Sequence, residues 1–225
     1  MKFPDLRSRF RPRAGILLAA AAFTVPLHEG DPWTNLKYRN IPANHVTFSS
    51  DGLRIDVRNS AGPLVFKLPK TLNVIGLRWT GKIHDFPNLP SGIRQGEKGA
   101  DDYAIRIGLV LEGKKRPSFA EKLFAPQWVK TLFSLAPEGS GIDRILFLSV
   151  GQQEAMLGRE RIHPLSDFLE EKVEWVRAEP GKIDVSASFE DPLPTLAVWI
   201  SSDGDDTKSK FTVQITSLTL NTVTN

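Results

Sequence analysis

Two clusters of aspartate hold the side chains best suited to chemistry in this chain. Asp101 and Asp102 stand side by side at the mouth of the alternating run "DYAIRIGLVLEG", and Asp203, Asp205 and Asp206 crowd into "SSDGDDTKSK". A D-x-D-D spacing in a glycine-containing loop can turn several carboxylate oxygens and a backbone carbonyl toward one hard cation; calcium takes about 6–8 such oxygens. Both flanks read as strands and no glutamate closes the loop at its twelfth position, so this is no EF-hand. The same residues also supply the turn geometry of a polar hairpin loop. Asp203, Asp205 and Asp206 therefore carry two expectations, a calcium site or a turn.

Adjacent residues in a strand face opposite sides, so Asp101 and Asp102 are expected to take separate roles rather than chelate as a pair. One role is structural: a carboxylate there accepts backbone N–H groups or pairs with Arg106, Arg94 or Lys98 and pins the entrance of the strand. The other is contact between Asp101, Asp102 and Arg106 and a polar ligand. Trp33, Trp79, Trp128, Trp175 and Trp199 could supply a sugar-stacking platform, with Trp79 the ligand-binding candidate, although Trp79 and Trp199 alternate with apolar neighbours and suit core positions.

Sequence signals for catalysis are sparse. The four histidines, His28, His45, His84 and His163, lack metal-binding spacing, and the absence of cysteine removes thiolate metal sites and a cysteine nucleophile. His84, beside Asp85, is the one candidate general base. There is no G-x-S-x-G elbow, and "GQQEAMLG" is not a phosphate loop. A glycosidase carboxylate pair is defined by separation in space, so the sequence leaves it open.

The elements that must position these residues are mainly strands. "HVTF", the turn "SSDG" and "LRIDVRN" form a hairpin pattern, with Leu53, Ile55 and Val57 on one face. "GPLVFKLP", "TLNVIGLRWTGKI", "DYAIRIGLVLEG", "DRILFLSVG", "KVEWVRAE", "KIDVSASFED", "TLAVWISSD" and "KFTVQITSLTLN" continue the rhythm. Helical spacing interrupts it in Ser118 to Ala136, split by Pro126, and "HPLSDFLEEKVEW" reads as a capped helical turn beginning at Ser166 to Leu169. Nine or ten short strands with one or two inserted helices predict an all-β fold, a two-sheet β-sandwich of jelly-roll type, over residues 44–225.

Residues 23–43 read as a polar N-terminal segment, and residues 1–22 as a signal peptide. Lys2, Arg7, Arg9, Arg11 and Arg13 against Asp5 precede the fourteen-residue apolar run Ala14 to Leu27, shorter than the roughly 20 residues of a membrane span. Cleavage is expected near Ala22, giving a periplasmic or secreted protein with no membrane span thereafter. That leader is net +4 in a chain of net +3, so the body is near −1, and the charge sum offers no argument for nucleic acid.

Three segments also resemble the uncharacterised bacterial family catalogued as domain of unknown function 3047. "LRWTGKI" is similar to its tryptophan-bearing strand, "GADDYAIRIGLVLEG" to its D-D-[FY]-A-x-R strand and "LAVWISSDGDDT" to its penultimate strand with a D-x-D-N-T loop, where Asp206 replaces the family's asparagine. The similarity runs from about Leu36 to Leu220, and "FAEKLFAPQWVKTLF" departs from it. It implies an exported β-sandwich without an established activity, with Asp101, Asp102 and Arg106 in one motif and Asp203, Asp205, Asp206 and Thr207 in the other. If those strands are antiparallel neighbours, the two acidic groups meet at one edge. The functional expectation is a non-catalytic module binding carbohydrate or another cell-envelope ligand, with calcium as its only candidate cofactor. The alternatives are a polysaccharide hydrolase or lyase and a structural component of an envelope assembly.

Overall fold

The structure is a computed structural model that describes residues 19–28, 33–117, 125–164 and 166–224. Eleven strands among the described residues form one hydrogen-bonded sheet folded over on itself. In chain order they are β1 (Ala19–Thr24), β2 (Trp33–Asn35), β3 (His45–Ser49), β4 (Gly52–Arg58), β5 (Ala61–Ile83), β6 (Arg106–Gly113), β7 (Gly141–Gly151), β8 (Glu160–Ile162), β9 (Leu169–Val176), β10 (Gly181–Asp203) and β11 (Lys210–Thr224).

Two of these strands, β5 and β10, run 23 residues each and belong to both leaves of the sandwich. The first leaf is β3-β4-β11 followed by the second half of β5 and the first half of β10, with β1 beside the end of β11. The second leaf is β2, the first half of β5, the second half of β10, then β6, β7, β9 and β8. The ladder between β5 and β10 is interrupted between Ser188 and Leu193. That gap contains Pro192, which has no N–H to donate, so the strand can bend there from one leaf to the other without losing a bond it could have made.

One buried cluster draws from both leaves. Leu53, Ile55, Val213 and Leu218 of the first pack with Ile107, Leu109, Val198 and Ile200 of the second, the arrangement that makes the sheet a sandwich. Trp79 lies in this core, fully buried, its ring edge-on to Trp175 at 6.3 Å. The hairpin predicted at the turn Ser49 to Gly52 joins β3 to β4, and Gly52 takes φ +101°. A Cβ on Gly52 would lie 2.2 Å from the Ile215 carbonyl oxygen, so both backbone angle and strand approach require glycine.

The outer face of the second leaf is covered. Val65, Val110, Ile145, Phe147, Ala197 and Trp199 form a second cluster under the helix α1 (Gln127–Ser134), which starts directly after Pro126 as the proline directs. Residues 118–124, the first part of the predicted helical stretch, lie outside the described residues. The helical turn expected at Ser166 to Leu169 is a hydrogen-bonded turn instead, Leu169 N donating to Ser166 O at 3.1 Å, because strand β9 begins at Leu169 and recruits its backbone. β9 pairs in parallel with β7, an arrangement no hairpin signal announces.

Candidate functional site

Arg106 opens β6 between Ser201 of β10 and Ser149 of β7, its side chain in phase with Gly108 and Val110 on the covered face. It is 5% exposed. Its guanidinium forms a close ion pair with Asp203, reaches Glu171 on β9 at 3.4 Å and Asp101 at 3.5 Å, and lies over the Tyr103 ring at 4.3 Å from the centroid. Arg161 on β8 pairs with Glu171 at 2.5 Å and Asp101 at 2.6 Å and donates to the Gly96 carbonyl. His163 Nε2 stands 3.7 Å from Asp101. Four strands, β6, β8, β9 and β10, and the loop before β6 thus bring two arginines and three carboxylates into one network.

The second contact is a clamp between loops. Asp206 accepts from the backbone N–H groups of Gly99 and Asp101, at 2.7 and 2.9 Å. In return Asp102, 1% exposed, accepts from Thr207 N at 2.7 Å, Thr207 Oγ1 at 2.5 Å and Asp206 N at 3.3 Å. Asp203 N donates to Tyr103 O at 3.1 Å, completing the seam. The two acidic groups do meet at one edge, and the adjacent aspartates do serve different partners, Asp101 the arginines and Asp102 the facing loop.

The placement corrects the expected site in three respects. Asp203 is committed to Arg106 and Asp206 to backbone amides, so the three loop aspartates do not converge, and no group of three acidic or histidine side chains among the described residues is placed to hold a metal. Asp102 and Arg106 are spent inside the protein and too buried to meet a ligand from solvent. Trp79 lies within the core, where no sugar can stack on it.

The electrostatics of the network disfavour acid–base work. Burial pushes the Glu171 carboxyl up, but Arg106 and Arg161 outweigh it and hold the group below the usual carboxylate range. Burial holds His163 below the ordinary histidine value, against the pull of Glu171 and Asp101. Glu171 therefore has no proton to give at neutral pH, as a general acid must. Asp205 goes the other way, raised by burial first and then by the nearby Asp102 and Asp206. The cavity beside the network, between Tyr103, Ser149, Met156 and Glu171, measures about 10 Å³, room for one water rather than a sugar ring.

No family model and no curated protein sequence matches this chain. Among solved structures it is similar to a xylan-binding module, CBM15, at 11% identity and a TM-score of 0.39, over 91% of this chain and 97% of that one. It is also similar to a mutant of Xylanase10C from Cellvibrio japonicus in complex with xylopentaose, at 11% identity and a TM-score of 0.35, where 90% of this chain spans 29% of the xylanase. These likenesses decide nothing about a ligand; the two-leaf architecture rests on the shared core.

Sequence reasoning missed Glu171 and Arg161. Glu171 carried a signal in its phase: it shares a strand face with the buried Val173, as Arg106 does with Val110, and a charge in step with buried residues requires a partner; Arg161, between exposed neighbours in β8, carried none.

Proposed function

We propose that the protein is a non-catalytic β-sandwich module of the bacterial cell envelope that binds carbohydrate. One observation carries this reading: the outer face of the first leaf presents exposed side chains already ordered by hydrogen bonds. Arg78 forks onto Asp184 across the β5–β10 ladder at 2.6 and 2.8 Å, and Arg54 onto Asp56 along β4 at 2.8 and 3.1 Å. Thr80 and Thr216 share a 2.9 Å hydrogen bond, and Thr212 donates to Asp56 at 2.6 Å. Fixed donors and acceptors on a sheet face suit the hydroxyls of an extended sugar chain, because little side-chain entropy is lost on contact. Export is part of the reading and draws on the basic leader and the apolar run from Ala14 to Leu27.

The test is gel electrophoresis of the full chain through matrices containing soluble polysaccharides, neutral and acidic. Retardation by at least one of them, relieved in Thr80→Ala/Gln214→Ala, is the expected result. Unchanged mobility in every matrix would overturn the reading.

A further inference from the structure

The face just described has a charge imbalance that a sheet normally avoids. Lys82 of β5 lies directly across from Lys182 of β10, and Arg58 of β4 directly across from Lys210 of β11. Like charges in directly opposed positions destabilise a sheet, so two such pairs on one face weaken the fold unless they serve something else. Arg54, Gln214, Lys82 and Lys182 also line up in one row across four strands, β4 to β11 to β5 to β10. With strands about 4.8 Å apart, that row spans roughly 14 Å.

The outward positions of the four strands hold six cations, Arg54, Arg58, Arg78, Lys82, Lys182 and Lys210, against two carboxylates in register, Asp56 and Asp184, and Glu190, exposed where the β5–β10 ladder is interrupted. Asp56 and Asp184 are already engaged, with Arg54 and Arg78. Arg58, Lys82, Lys182 and Lys210 are exposed and make no ion pair among the described residues. With Glu190 counted the face is net +3; the leader carries a further +4 in a chain of net +3, so the rest of the body is near −4 and the body's positive charge is concentrated on this surface.

We infer that this face binds an acidic polysaccharide, a chain of sugars carrying carboxylates, laid across the strands along the Arg54–Lys182 row. The inference rests on the carbohydrate reading and narrows it. Charge complementarity selects the anion, and the surrounding Thr80, Thr212, Gln214, Thr216 and Ser186 supply partners for sugar hydroxyls. Among the described residues, the Arg54–Lys182 row and its neighbours Arg58, Arg78, Asp184 and Lys210 include no aromatic side chain on which bases would stack and no apolar side chain to enter a membrane, so a polysaccharide fits better than a single-stranded nucleic acid or a lipid surface.

The experiment measures binding of the full chain to polygalacturonate, to its fully methyl-esterified form and to neutral xylan, at low and at raised salt. Binding to polygalacturonate that weakens with salt and drops about tenfold in Lys82→Gln/Lys182→Gln is expected, as for removal of two steering charges. That variant should keep its fold and melt at a higher temperature, since it relieves a repulsive pair. Equal binding of the esterified or neutral chains would overturn the inference and leave the carbohydrate reading standing. No binding to any of the three would remove both. Equal capture of single-stranded DNA or of vesicles containing anionic lipid would overturn it as well, by showing affinity for any polyanion.

Discussion

Asp205 and Arg106 show how differently two charges can be housed at one edge of a sandwich. Asp205 is ionised at a cost, since burial, Asp102 and Asp206 all raise its pKa. The unfolded chain releases that proton near its ordinary value of about 3.9, so the cost appears as pH rises above it. Asp205→Asn is therefore expected to raise the melting temperature at pH 7 and to leave it unchanged near pH 3, measured by thermal unfolding at both. Arg106 is the reverse case, a buried cation serving Asp203, Glu171 and Asp101. Arg106→Ala leaves carboxylates buried without compensation and should cost about 3–5 kcal/mol in denaturant unfolding. Arg106→Lys should recover only part of that loss, because one ammonium cannot reproduce a planar fork shared by three carboxylates.

At the scale of elements, the seam between the loop before β6 and the β10–β11 loop depends on Asp102 more than on any regular structure. Three donors from Asp206 and Thr207 converge on its carboxylate. Asp102→Ala strands them and should cost about 1–3 kcal/mol. The diagnostic result is local: hydrogen exchange should quicken at the Asp206 and Thr207 amides while the Leu109 and Val198 amides in the core ladder stay protected. Uniformly faster exchange would mean that the seam is not a separate unit. The elements also show which sequence signals were legible. The Ser49 to Gly52 hairpin and the alternation of β4 and β11 were plain, because turn chemistry and period are local. The merger of four predicted strands into β5 and β10 was hidden, because proline normally ends a strand, and here Pro192 sits where the ladder is interrupted.

For the whole molecule, acid should unfold the protein in stages set by the arginine network. His163 has a lowered pKa, so its contribution is present above the unfolded value of about 6.5 and is lost as pH falls through the folded one. Glu171, also lowered, gives stability above about 4.3 that disappears as pH drops further. Melting temperature against pH should decline from near pH 6.5 and more steeply below about 4.3. Glu171→Gln should flatten the second decline; an unaltered profile would show that the network does not govern acid stability.

Composition and periodicity alone determined that this chain is mostly strand and that Asp101 and Asp102 would part company. Those conclusions follow from the two-residue period of a strand, which any short segment displays. Which residues meet was decided only by the tertiary structure. Arg106, Glu171 and Asp203 come from three strands far apart in the chain, and Arg54, Lys82, Lys182 and Lys210 form one basic face only through the register of four strands. A net charge is a sum and is blind to position; pairing register gives it a direction, and it turned a near-neutral body into one with a strongly positive side.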